Sequence, residues 1–290
     1  MKKLSAALAS LFLVAPFACA QLNTGFLDDY IVRVKPDKRA DFDSVAKRVA
    51  DANRKAKGDY WTAAEQIYGE DNTVRFTSQR QNYAAIDQAT TAFAAAINEA
   101  YGVGGMKKMM MDFNPTVLSA RAVLRMRRWD LSINAPKDES AYNQMVGNAR
   151  FLRITQVRVR PGHSSHFEEL AKQAKAAYEG GSQSWTILVS QAVAGEPGGT
   201  YYLSTLQPSM GSFDSSPTLR KLLGDEKYAD LEKGAGEAEE STQTSIYRLL
   251  PELSNPPKEV IDVAPDFWRP KPAAMARPKP KTAETPKAGQ

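Results

Sequence analysis

The chain has 290 residues, 42% of them hydrophobic, a single cysteine and a formal net charge of +5. Lys2, Lys3 and the stretch from Lys258 to Gln290, with seven basic against four acidic residues, carry all of that excess, so residues 21–257 are neutral. A neutral body lacks the concentrated basic face that a phosphate backbone requires, which excludes nucleic acid as the partner, and a lone cysteine excludes a disulfide framework.

The first twenty residues run from Lys2-Lys3 through an apolar stretch, Leu4 to Phe17, to the small triplet Ala18-Cys19-Ala20. That order is the pattern of a secretory signal peptide. Cleavage is expected after Ala20, leaving a secreted or periplasmic protein without a thiol; acylation of Cys19 as a lipoprotein is the alternative. The apolar run falls short of the roughly 20 residues that a spanning helix needs, and no later segment approaches that length, so no transmembrane segment is expected.

The body that follows is internally repeated. Val32-Arg33-Val34-Lys35-Pro36, with Phe42 after it, returns as Val157-Arg158-Val159-Arg160-Pro161 with Phe167, and 8 of 21 positions from 32 to 52 match the residues 125 later. Trp61-Thr62 answers Trp185-Thr186, and residues 102–132 answer 224–254 at an offset of 122. A pair of diverged copies is the reading, 21–134 and 151–256, joined by a polar linker at 135–150 and followed by a Pro- and Lys-rich tail at 257–290.

Each copy opens on a short alternating run, Tyr30 to Lys35 or Ile154 to Arg160, which predicts a strand ended by proline. Phe42, Val45, Ala46, Val49 and Ala52, and in copy two Phe167, Leu170, Ala171, Ala174 and Ala177, have the spacing of one buried helical face. Two strands come next, Trp61 to Tyr68 and Val74 to Thr77, then Trp185 to Ala192 and Thr200 to Leu206, with glycine-containing turns between them. A second helical region stops at Gly102 or Gly224, and a last strand, Val117 to Arg127 or Thr242 to Leu250, closes the copy. Strand, helix, strand, strand, helix, strand is the ferredoxin-like βαββαβ unit. The fold class is therefore α+β, two tandem ferredoxin-like repeats. Ile187 and Val189 alternate with Leu188, so both sheet faces in copy two are apolar, and two bare faces bury each other. Packing sheet to sheet as one pseudo-dimeric α/β barrel is expected, which makes the chain a monomer with an internal pseudo-dimer.

Val157 to Gly162 with His163 and Phe167, and their copy at Val32 to Phe42, resemble the strand, Pro-Gly turn and helix start of the dimeric α/β-barrel superfamily, which includes antibiotic-biosynthesis-monooxygenase-like, stress-responsive and haem-handling proteins. The resemblance covers about three-quarters of the chain and implies a pocket between sheet and helices in each copy. It does not supply the polar set of Asn, Trp and His used by the members that degrade haem or oxidise polycyclic substrates. Fold alone fixes no chemistry.

Arg33 and Arg158 hold equivalent places and could together grip an anion; Trp61, Trp185 and Tyr202 are candidate pocket walls. These five residues are the expected ligand site, for a small apolar or weakly anionic molecule. His163 and His166, three apart, have the spacing of metal or haem ligands, but their counterparts are Lys38 and Asp41, so no metal site is expected. Met106, Met109, Met110 and Met111 suit Cu(I) by type, yet Met106 and Met109 answer Tyr228 and Leu231, which reads as packing; Gly104-Gly105 before them would let that segment move as a lid. No catalytic residue can be named and no cofactor is expected, with haem as the alternative. The function expected is binding or structural in the periplasm or envelope; the alternatives are a cofactor-free monooxygenase-like or haem-handling enzyme, and an envelope module whose tail, with Pro-Lys-Pro at 270–272 and 278–280, extends as a disordered cationic arm to anionic envelope polymers.

Overall fold

A computed structural model describes Leu22 and residues 24–181 and 185–269. The leader with its expected cleavage after Ala20, Cys19, and the Pro-Lys-Pro segments all lie outside the described residues. Among the described residues no helix is long and apolar enough to cross a membrane.

The first repeat comprises β1 (Phe26–Val34), α1 (Arg39–Ala56), β2 (Thr62–Tyr68), β3 (Thr73–Arg80), α2 (Tyr83–Tyr101), α3 (Gly105–Phe113) and β4 (Val117–Arg127). The linker carries α4 (Glu139–Asn148). The second repeat comprises β5 (Phe151–Val159), α5 (Ser164–Gly180), β6 (Leu188–Ala194), β7 (Thr200–Gln207), α6 (Leu219–Leu223), α7 (Asp225–Ala238) and β8 (Glu239–Leu249), and two short helices follow, α8 (Lys258–Ile261) and α9 (Pro265–Trp268). The eight strands close into one antiparallel barrel in the order β1-β3-β2-β8-β5-β7-β6-β4. The expected α+β pseudo-dimeric barrel is what forms.

Local chemistry explains the elements that frame the site. Helix α1 buries Phe42, Val45, Ala46 and Ala50 against Val32, Val34 and Val74 on the outer face of the sheet, and stops where Lys57 turns left-handed at φ 52°. Helix α2 starts where the Asn82 side chain accepts from the Ala85 amide, a standard N-cap, and ends at Gly102, whose φ of 75° suits glycine. The seams between repeats are β2 against β8 and β4 against β6. At the first seam Glu65 accepts from both Arg39 and Arg248. Full closure leaves no free sheet edge, so light scattering of the purified protein is expected to return the mass of one chain; a dimer mass would place the closure between chains.

Three sequence expectations need correction. Residues 135–150 are no bare linker: Asp138 caps α4 by accepting from the Ala141 amide, and α4 lies over one end of the barrel with Tyr142 and Val146 buried. The tail is not extended from its start: α8 and α9 fold onto α4, burying Val260, Ile261 and Trp268, because that stretch carries apolar side chains ahead of the Pro-Lys run. Trp61 and Trp185 are not equivalents. Thr62 stands opposite Thr77 and Leu188 opposite Ser204, while Thr77 and Ser204 correspond, so Trp61 matches Ile187. The bridges Trp61–Asn255 and Ile133–Ile187 carry the same correspondence.

Candidate functional site

Two chambers open beside the residues that hold the barrel together. The first lies in repeat one between the outer sheet face and helices α1, α2 and α3, a cavity of about 430 Å³. Its walls are Tyr30, Phe76, Trp61, Phe93 and Phe113 with Met106, Met109 and Met110 from α3. The rings pack on one another, Trp61 to Phe93 with centroids 6.1 Å apart and Phe42 to Phe113 at 5.6 Å. Charged groups gather at one side only. Arg80 donates twice to Asp59, at 2.7 Å each, and once to Asp28 at 3.4 Å. Burial raises the Asp28 carboxyl above the ordinary aspartate value, against the opposing pull of Arg80. Tyr30 is likewise raised by burial and stays a neutral phenol. Met106 and Met109 are packing residues of this wall, with Met109 buried beside Ala52 and Ile97, while Met110 and Met111 are exposed.

The second chamber lies inside the barrel end that α4 and α8 cover, a cavity of about 500 Å³. Leu27, Leu152, Ile154, Leu188, Leu206 and Val260 make its apolar wall, and Arg125 and Arg127 its floor. Beneath it lies a buried ionic cluster that sequence reasoning missed. Asp29, fully buried, accepts from Arg75 at 2.7 Å, from Arg125 at 2.6 Å and from Thr77 at 2.6 Å. Burial alone would raise that carboxyl, but Arg125 and Arg75 beside it hold it below the usual carboxylate range. Arg125 also donates to Ser190 at 3.0 Å and stacks 4.7 Å from the Tyr202 ring centroid. The available signal was the strand phase. Positions 29 and 31 point inward when Val32 and Val34 pack on α1, and an acid there is out of keeping with Ile154 at the same place in repeat two.

Of the expected ligand residues, Tyr202 lies inside the barrel, fully buried against Arg75 and Arg125, with its hydroxyl unpaired and raised by burial. Trp61 stands between the two chambers and lines both, its Nε1 donating to the Leu253 carbonyl at 2.8 Å. Trp185 is buried with Ile133 and Tyr178, and Arg153 stacks on its ring at 5.7 Å. Arg33 and Arg158 lie at the opposite barrel end, where Glu70 pairs with Arg33 at 2.8 Å and Glu240 with Arg158 at 3.1 Å. Each is half-exposed and taken by a carboxylate of its own, so they form no shared anion clamp.

His163 and His166 are exposed in the first turn of α5 and line neither chamber, which does not fit a histidine-ligated haem in either one. Among the described residues no group of three or more His, Cys, Asp or Glu side chains is gathered to hold a metal ion.

No family model matches the chain, and no curated protein matches it. Solved structures similar to it in chain course include an anthrone oxidase-like protein, 10% identical with a TM-score of 0.48, covering 78% of this chain and 92% of the other. A mutant chlorite dismutase from Candidatus Nitrospira defluvii is 6% identical with a TM-score of 0.45, covering 87% and 98%. A haem-binding protein from Thermus thermophilus is 9% identical with a TM-score of 0.45, covering 79% and 93%.

Proposed function

We propose that this chain is an exported small-molecule-binding protein whose first repeat takes up a small aromatic molecule between sheet and helices. The observation that carries the reading is the chamber itself. Its volume of about 430 Å³ falls in the range of small-ligand pockets, roughly 300–1,000 Å³, and its walls are rings and methionines with charged groups on one side only. Aromatic and thioether walls favour a flat apolar body. Asp28 and Arg80 would orient it through a hydroxyl or carbonyl. Helix α3 begins after Gly102 and Gly104, with φ of 75° and 72°, and brings Met106, Met109 and Met110 over the chamber as its cover.

One observation favours a second reading. A carboxyl raised by burial binds a proton more tightly than a free aspartate does, so Asp28 could serve as base toward a phenol or enol, as a cofactor-free monooxygenase-like reaction requires. The export leader and an envelope role for the cationic tail remain part of the proposal on their sequence patterns.

Tryptophan fluorescence of the mature protein titrated with 2-naphthol tests the site. Saturable quenching is expected, weakened about tenfold or more by Ala89→Trp, which fills the chamber from α2, and by Asp28→Ala, since a hydrogen bond to a charged group contributes about 1.5–3 kcal/mol. Quenching that does not saturate, or that Ala89→Trp leaves unchanged, would overturn the reading. Consumption of dioxygen with 2-naphthol, lost in Asp28→Ala, would establish the enzyme.

A further inference from the structure

We infer that the covered end of the barrel is a second binding site, one for an amphipathic monoanion such as a medium-chain carboxylate. This goes beyond the aromatic site of repeat one. The inference rests on charge that the scaffold does not require and that the protein does not neutralise.

Two buried guanidinium groups, Arg125 and Arg127, form the floor of this end, a third, Arg75, lies beneath it, and the single carboxylate of Asp29 stands among them. Asp29 holds Arg75 and Arg125 together. Arg127 is 7% exposed and has no carboxylate partner among the described residues. Its Nη2 donates to Gln79 at 2.7 Å, and its charge rests on the faces of Tyr142 and Trp129, 4.6 and 5.2 Å from the ring centroids. Rings offset only part of the cost of removing a guanidinium from water. An incoming carboxylate would supply what is missing, in a geometry that arginine is built to match.

The internal repeat tells structural need from function. Position by position, repeat two sets Ile154 where repeat one has Asp29, Tyr202 where it has Arg75, Tyr247 where it has Arg125, and Leu249 where it has Arg127. The same layer of the same barrel is therefore closed on one side without charge, by Ile154, Leu249 and the rings of Tyr202 and Tyr247. Since well-packed apolar groups usually replace buried ion pairs at little or no cost in stability, the charges are not what the barrel needs in order to close.

The cavity above the arginines fixes the ligand class. About 500 Å³ with Leu27, Leu152, Leu188 and Leu206 in the wall takes an aliphatic chain. Glu139 and Glu259 stand exposed at the rim and oppose the entry of any anion, a dianion about twice as strongly as a single carboxylate. The carboxylate would lie on Arg127 and Arg125, with the chain directed past the leucines toward Val260.

Isothermal titration of the mature full-length protein with decanoate, and with decanol as the neutral counterpart, tests the site. Decanoate is expected to bind at least tenfold more tightly than decanol. Arg127→Gln is expected to remove that preference, Arg127→Lys to keep part of it, and Ala89→Trp in the aromatic chamber to leave it intact. Leu206→Trp, which fills the cavity without touching charge, is expected to abolish binding of both. Equal affinity for acid and alcohol, no binding of octanoate, decanoate or dodecanoate, or loss of decanoate in Ala89→Trp with retention in Arg127→Gln would each overturn the inference. The Ala89→Trp and Arg127→Gln responses also separate its failure from failure of the aromatic site.

Discussion

Replacing Asp29 with alanine is expected to lower the free energy of unfolding by about 3–5 kcal/mol, the cost of leaving buried charge without its partner, as read from the midpoint of a urea titration at constant slope. The carboxylate accepts from Arg75, Arg125 and Thr77 with no exposed surface, so nothing in solvent can take its place. The same contacts set an acid limit. Because the folded protein holds Asp29 below the pKa of about 3.9 of an unfolded aspartate, its stabilisation is complete above that value and is lost as pH falls through the lower folded one. Below pH 4 the wild type is therefore expected to lose stability more steeply than Asp29→Asn. A triple replacement, Asp29→Leu with Arg75→Met and Arg125→Met, is expected to be more stable than Asp29→Ala, since repeat two already closes this layer with uncharged groups. If the triple variant is the least stable, the ionic cluster is part of the scaffold.

Trp268→Ala is expected to cost a further about 3–5 kcal/mol, the range for a buried tryptophan cut to a methyl group, and to lower the melting temperature by about 6–20 °C at the roughly 2–4 °C per kcal/mol of a large domain. Trp268 is 1% exposed, its Nε1 donates to the Gly147 carbonyl at 3.0 Å, and Phe267 beside it lies under the Arg150 guanidinium at 3.8 Å. Those contacts bind α9 to α4 and to the residue that precedes β5, and α4 covers the barrel end. A β-carbon on Gly147 would meet Val263 at 2.5 Å, so Gly147→Ala is expected to loosen the same closure. Differential scanning calorimetry of the two variants checks both. A melting temperature unchanged in Trp268→Ala would show that the barrel end is closed without the segment after residue 257.

The duplication was legible in residues that pack. Val32, Val34 and Phe42 recur as Val157, Val159 and Phe167 because in both repeats the first strand lies under the first helix, and from that recurrence the unit, its element order and its closure follow. The hairpin register was not legible from the matching Trp-Thr pairs. Strand pairing is set by turn length and by which face is buried, and Trp185 falls two residues ahead of Ile187, the counterpart of Trp61, so that it precedes β6 while Trp61 bridges to Asn255. Arg33 and Arg158 drew notice because they repeat, but what repeats there is a surface ion pair. Asp29, Arg75, Arg125 and Arg127 did not repeat, and inward positions of a strand are read as apolar by default. Their absence from repeat two was itself the signal. In the tail, proline and lysine content hid Val260 and Ile261, which together with the anchor pair Phe267-Trp268 are enough to fold two short helices onto the barrel.

The seams of the barrel bear on how fast it can be made. Glu65 of β2 and Arg248 of β8 lie 183 positions apart, and neither repeat finishes a sheet without the other. Closing loops of that length delays the ordered state, since the entropy of bringing the ends together is lost before any contact rewards it. While the first repeat waits for the second, β2 and β4 are open edges. In crowded refolding the waiting edges have an intermolecular answer, for the second repeat of one chain meets them as well as that of another. Yield on refolding should therefore fall with protein concentration, with exchanged dimers as the by-product.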